Sequence, residues 1–299
     1  MPIRELFHFM HLVGDFDPMH DRYEQLLAPK DWGPKSWSDF DKRWATLANV
    51  GPDFVLEIME PSKDPADLGA PLPKFHARHG DHLHSFAWYV DAADIQTLME
   101  TIAGLGVRVL TPYAQRDPEA PLSTFFTHPK DTFGQLEFNA LPEREGSRDW
   151  HLHSDWTGAF WRDEFPLGLE RTSHLTLAVG DVEAAKTFYA KGLDAPAFHE
   201  EESRDRLSAF CLVGNETVVE LAQPKSPTSW IGQDLAAHGA IPHAMTFKVA
   251  DLGAAEKHVT GIGIGIGWRS DDTIVLDPAD MANGVVGFTV RELPGDPRG

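Results

Sequence analysis

The chain has 299 residues, more than a typical single domain of about 100 to 200 and the right length for two of about 150, so two hydrophobic cores are expected. With 42% hydrophobic and 24% charged residues, it reads as a globular protein rather than a disordered or fibrous one. A total of 46 Asp and Glu against 26 Lys and Arg leaves a net charge of −20, which repels phosphate backbones and anionic membrane surfaces; nucleic acid and membranes are not expected partners.

The chain enters an apolar alternation by Leu6 without a signal-type apolar region, and no apolar run of about 18 residues follows, so a cytoplasmic protein is expected. Phe7 to Asp15 reads as a strand running into a helix start at Asp17-Pro18-Met19. Phe54 to Pro61 and His84 to Val90 read as strands, Ile95 to Ile102 as a helix, and Val107 to Leu110 and Gly134 to Phe138 as later strands. Pro142 to Glu170, with Trp150, Trp156, Phe160 and Trp161, is too aromatic for a free linker and is expected to pack on the domains.

The same order then returns. Ser173 to Asp181 repeats Phe7 to Asp15, each with His five residues before Val-Gly-Asp or its counterpart, at an offset of 166. Val218 to Pro224 repeats the strand around Glu57 at an offset of 163, and Gly239 to Val249 repeats Gly80 to Val90 at 159. Within each copy a weaker subdivision shows two strand-helix-strands units. The glycine-rich run Gly261 to Gly267 follows a helix instead of preceding one, which argues against a nucleotide loop. Cys211, the single cysteine, lies in an apolar run and reads as a buried, inert thiol.

Polar residues that interrupt the apolar strands are His8, Glu57, His84 and Glu137 in the first copy and His174, Glu220 and His243 in the second, where Gly287 stands opposite Glu137. A lone charge pointing inward is expensive and needs a partner. Two imidazoles and two carboxylates aimed into one cavity suit a divalent metal with positions left open for water or substrate. The expectation is one divalent ion per chain (Fe, Mn, Co, Ni or Zn) on His8, Glu57, His84 and Glu137, with His174, Glu220 and His243 as a degenerate second set. His11 falls on the opposite strand face, and His82, two before His84, is the reserve ligand.

These residues, in this order and spacing, resemble the vicinal oxygen chelate superfamily, which groups glyoxalase I, methylmalonyl-CoA epimerase, extradiol dioxygenases and antibiotic-resistance proteins. The first copy is most similar to methylmalonyl-CoA epimerase, through Leu56 to Pro61, Arg78-His79-Gly80, Leu83-His84 and His128 to Glu137. The resemblance implies an α+β fold in which paired βαβββ modules form two barrel-like mixed sheets in tandem. The domains would be residues 1–141 and 171–293, joined by the linker 142–170. It implies that the four residues match a metal set, completed either within the first domain or across domains; pairing within the first domain is the arrangement preferred.

The function expected is a metal-dependent isomerase, epimerase or lyase that moves a proton at a carbon next to a carbonyl, with Glu57 and Glu137 as the catalytic carboxylates. Its substrate would be a small aromatic or thioester molecule. An Fe(II) ring-cleaving dioxygenase using His8, His84 and Glu137 is the alternative, and a non-catalytic small-molecule binder the second. A homodimer is left open.

Overall fold

The computed structural model describes residues 2–111, 120–143 and 149–299. In chain order the first half contains β1 (Ile3–Leu12), α1 (Phe16–Leu27), β2 (Ser36–Ser38), β3 (Arg43–Val50), β4 (Phe54–Pro61), α2 (Pro71–His79), β5 (His82–Val90), α3 (Ile95–Gly104), β6 (Val109–Leu110), β7 (Thr124–Thr127) and β8 (Gln135–Ala140). The second half contains β9 (Leu169–Ala178), α4 (Val182–Gly192), β10 (Ala197–Glu202), β11 (Arg206–Val213), β12 (Thr217–Pro224), α5 (Trp230–His238), β13 (Ile241–Val249), α6 (Leu252–Gly261), β14 (Ile266–Arg269), β15 (Thr273–Leu276) and β16 (Val285–Thr289).

Each half folds into one eight-stranded mixed sheet, ordered β2-β3-β4-β1-β5-β8-β7-β6 and β10-β11-β12-β9-β13-β16-β15-β14. Two βαβββ modules meet in each sheet. The central pair β1 and β5 is antiparallel, and each central strand is parallel to its own module's last strand, β4 or β8. Both modules of a sheet therefore come from one half of the chain, so the pairing is within domains.

Strand alternation gives each sheet two faces. In the first domain Phe9, Leu56, Phe86, Trp88 and Phe138 point to one face, while His8, Met10, Glu57, Ala87 and Glu137 lie on the other, a cup. The outer faces of both sheets, the helices α1, α3, α4 and α6, and Trp161 join in one continuous hydrophobic core. Two separate cores were expected from length alone. One shared core forms because Phe54 packs edge-on against Phe247 at 5.1 Å and Trp88 donates to Thr217 at 3.1 Å, both across the domain boundary.

The segment between the sheets packs back as a wedge: Trp161 Nε1 donates to the Leu27 carbonyl at 2.8 Å and Trp156 Nε1 to that of Gly51 at 3.1 Å. Residues 144–148 and the side chain of Trp150, part of the expected aromatic linker, lie outside the described residues. At the other end Arg298 bonds the carbonyls of Thr172, Ser173 and Glu216, tying the tail onto the second sheet. Cys211 is buried, and that burial pushes its thiol up to about 12. No helix among the described residues is long and apolar enough to cross a membrane.

Candidate active site

His8, Glu57 and Glu137 meet in the first cup. Register accounts for this: His8 pairs with Ala87, Ala87 with Glu137, and Met10, two residues along from His8, with Glu57, so all three side chains come from neighbouring strands. One extra residue in β1 opposite β5 puts Phe7 beside His8 at the cup wall. His8 Nε2 lies 3.5 Å from Glu57 Oε2 and 3.6 Å from Glu137 Oε2. The cavity holds about 460 Å³ and is lined by Phe7, Arg43, Leu47, Thr124 and Asn139 in addition to the three site residues.

Sequence reasoning missed Arg43, whose Nη1 binds Glu57 Oε1 at 2.9 Å. Asn139 Nδ2 donates to Glu137 Oε1 at 2.9 Å, so each carboxylate has one oxygen anchored. Both ring nitrogens of His8 and the Oε2 of Glu57 are buried without a hydrogen-bond partner, a costly state for polar atoms away from water. Burial alone would lower the His8 imidazole, but Glu57 and Glu137 together raise it above the ordinary histidine value. Burial would likewise raise the Glu137 carboxyl, while His8 and Asn139 hold it below the usual carboxylate range.

His84 stands apart from this trio. The register slips between Phe9/Phe86 and His11/Leu83, so His84 and Ser85 share a bulge. Ser85 Oγ donates to Met10 Sδ and therefore accepts from His84 Nδ1 at 2.6 Å, leaving His84 Nε2 as the lone-pair nitrogen. Its ring packs edge-on against Phe75 of α2, and burial, reinforced by Arg43, lowers it to about 3. No hydrogen bond or ion pair among the described residues joins it to His8, Glu57 or Glu137.

The second cup has the same frame, differently filled. Arg206 binds Glu220 at 2.9 Å from the position equivalent to Arg43, and His174 Nε2 lies 3.6 Å from Glu220 Oε2. Here Ser208 and Thr176 each donate to Glu220 at 2.6 Å; their counterparts around Glu57 are Ala45 and Met10, which cannot. Burial would raise the Glu220 carboxyl, but Arg206, His174 and the two hydroxyls bring it down to about 2. Opposite Glu137's place sits Gly287, where an added Cβ would meet Thr246 Oγ1 at 3.1 Å. His243 does not join His174 and Glu220: it occupies a bulge like that of His84 and binds Asp234 of α5 at 2.6 Å. The second set is thus a closed, internally satisfied network, and the first an open one.

Of the remaining histidines, His11 is fully used. It bonds Tyr23 at 2.8 Å and the Ala282 carbonyl of the other domain at 3.1 Å, and burial lowers it to about 4. Extending the repeat offsets upstream from Glu57 and Glu220 would have found Arg43 and Arg206, which share the offset of 163.

Comparison with known proteins agrees with this architecture. The profile of the Glyoxalase/Bleomycin resistance protein/Dioxygenase superfamily matches residues 171–289. No curated protein matches the chain by sequence. Among solved structures, a mutant of 4-hydroxymandelate synthase from Streptomyces coelicolor matches 98% of this chain and 95% of its own, with a TM-score of 0.68 at 15% identity, a likeness of fold across both domains. Methylmalonyl-CoA epimerase from Mycobacterium tuberculosis is 21% identical over 40% of this chain and 87% of its own, with a TM-score of 0.38. A variant of the Streptomyces coelicolor epimerase, solved with 2-nitronate-propionyl-CoA, is 22% identical over 40% of this chain and 96% of its own, with a TM-score of 0.37.

Proposed function

With the superfamily's profile matched by residues 171–289 and a two-domain fold shared along the chain, we propose that the cup of its first domain is the active site of a divalent-metal-dependent isomerase, epimerase or lyase. The reaction would move a proton at a carbon next to a carbonyl. The observation that carries this reading is the set of buried, unpartnered donors, His8 Nε2 and Glu57 Oε2, facing Glu137 Oε2 across a cavity.

The donor chemistry fits a metal. Bonds of about 2.1 Å place neighbouring ligand atoms roughly 3.0 to 3.4 Å apart, close to the spacings found around His8 Nε2. His8, Glu57 through Oε2 and Glu137 through Oε2 would hold the ion, with His84 Nε2 as the candidate for a fourth bond. When bound, such an ion supplies Lewis-acid polarisation of a substrate carbonyl oxygen. Arg43 and Asn139 fix the two carboxylates so that no reorganisation is needed when charge develops. Glu57 and Glu137, on strands to either side of His8, are the carboxylates that would take the C–H proton on one face of a substrate and return it on the other, each through an oxygen not holding the ion at that step. Phe7 and Leu47 supply an apolar wall that excludes water.

A second reading has its own support. With Oε1 of Glu57 held by Arg43, the chain could present His8, His84 and Glu137 as the two-His-one-carboxylate face of an Fe(II) dioxygenase. One experiment tests both. Metal-loaded protein is incubated in D₂O with a panel of thioesters and 2-oxo acids, and deuterium at the carbon next to the carbonyl is read by NMR. Exchange is expected, and it should be lost on chelation and in Glu57→Gln and Glu137→Gln. No exchange across the panel, together with oxygen uptake on catechols by the Fe(II) form, would replace the first reading with the second.

A further inference from the structure

Where the two domains meet, the repeat brings equivalent residues face to face. The helices α2 and α5 end on His79 and His238, both followed by a glycine at positive φ (Gly80 at 71°, Gly239 at 82°) that turns the chain sharply into β5 or β13. These two last-turn histidines touch, Nδ1 to Nδ1, at 2.9 Å. Beside them, His82 Nε2 of the first domain lies 2.8 Å from Asp234 Oδ1 of the second, and His238 Nε2 lies 3.7 Å from the same oxygen. His82, Asp234 and His238 each offer a ligand atom within 4.8 Å of the other two. The cluster borders a cleft of about 330 Å³ that Trp230, Gln233 and Asn283 also line.

We propose that this seam is a metal site for a divalent cation of the zinc type, held by His82 of one domain and by Asp234 and His238 of the other. Three arguments converge on it. The first is hydrogen-bond valence. His82 Nδ1 lies 2.8 Å from the Leu83 carbonyl, which can only accept, so Nδ1 carries the proton and the neutral ring turns a lone pair toward the Asp234 carboxylate. Two acceptors at 2.8 Å repel unless a positive centre lies between or beside them. A proton on His82 would settle that contact alone, whereas a metal also takes the Nε2 of His238.

The second argument is the shell around the ligands. Metal-binding histidines almost always donate their other ring N–H to a carbonyl, carboxylate or similar acceptor, and ligating carboxylates are themselves hydrogen-bonded. Here His82 donates to Leu83, His238 has His79 as the partner of its Nδ1, and the second oxygen of Asp234 is held by His243 at 2.6 Å. All three ligands are braced on the side away from the ion. The third argument is electrostatic. The C-terminal ends of two nine-residue helices converge here, and the negative end of each helix dipole favours a cation. The ligand separations of 2.8 and 3.7 Å bracket the roughly 3.4 Å edge of a tetrahedral site with bonds of about 2.1 Å. His82, Asp234 and His238 all line the cleft, which would give solvent access to such an ion. Because its ligands come from both domains, the ion would clamp them together, and because none is a cup residue, the site is independent of the reaction proposed above.

The test uses the full chain with the first cup disabled by His8→Ala and Glu137→Ala. After chelation, reloading with Zn²⁺ and desalting, mass spectrometry of the metal should find one zinc per chain. Co²⁺ should give the intense visible bands of a tetrahedral site, and Zn²⁺ should raise the unfolding temperature. Adding His238→Ala, a half-buried helix-end change that should preserve the fold, or Asp234→Asn should abolish all three. No zinc in the cup-disabled protein, or zinc that survives both His238→Ala and Asp234→Asn, would overturn the proposal. If the unmutated chain binds a single zinc that His238→Ala removes and the cup changes do not, the seam site stands and zinc is excluded as the ion of the cup.

Discussion

Removing the central carboxylate of each cup in metal-free protein should separate a structural network from an open site. Glu220 accepts from Arg206, which is a third exposed, and from the buried hydroxyls of Ser208 and Thr176. Glu220→Ala would strand two buried hydroxyls, at about 1 to 3 kcal/mol each, and break an ion pair whose arginine is a third exposed and can rehydrate, so about 4 kcal/mol is expected, nearly all of it from the hydroxyls. The same Arg206, His174, Ser208 and Thr176 contacts overcome burial to hold that carboxyl at about 2, in favour of the ionised folded form. Glu57→Ala breaks the equivalent Arg43 pair and the 3.5 Å contact with His8 but strands no hydroxyl, and it removes an unpartnered oxygen and a like charge near Glu137, so about 1 kcal/mol is expected. The difference, near 3 kcal/mol, should appear as a fall in unfolding temperature several degrees larger for Glu220→Ala, measured at neutral pH with excess chelator. Equal destabilisation by the two substitutions would refute the argument that the first cup is the open one. The pH dependence has a definite sign: the Glu220 carboxyl is depressed in the folded state, so its contribution is present above about pH 4.5 and is lost as the pH falls toward 2.

Because the modules pair within each domain, His8→Ala should retain one fewer equivalent of tightly bound metal than His174→Ala, as counted by elemental mass spectrometry; the reverse order would move the site to the second cup. His11 is buried neutral, with its imidazole lowered to about 4, so the unfolded chain takes up that proton first and stability should drain away between pH 6.5 and 4. His11→Gln should flatten that part of the stability profile, and an unchanged slope would assign it elsewhere. Trp161→Ala should cost about 3 to 5 kcal/mol in urea unfolding, since the ring is fully buried and its N–H caps the Leu27 carbonyl; a loss below about 1 kcal/mol would show that the connecting segment is not part of the shared core.

The repeat, the strand and helix order, and the inward-facing polar residues were legible in the sequence because they are local. Alternation along a strand needs only near neighbours, and His8, Glu57 and Glu137 announce themselves by interrupting it. What each of these residues meets was decided by the fold. Ala45 and Met10 versus Ser208 and Thr176 are unremarked residues until register sets them beside Glu57 and Glu220, and that choice of neighbour is what opens one cup and closes the other. Bulges turn His84 and His243 away from the places that strict alternation would give them, and a slip of one residue leaves little trace in composition. Length suggested two cores, yet packing merged them, because the hydrophobic outer faces that carry Phe54 and Phe247 pack against each other. The seam of His79, His82, Asp234 and His238 exists in neither copy alone. It arises where two halves dock, bringing together side chains more than 150 residues apart.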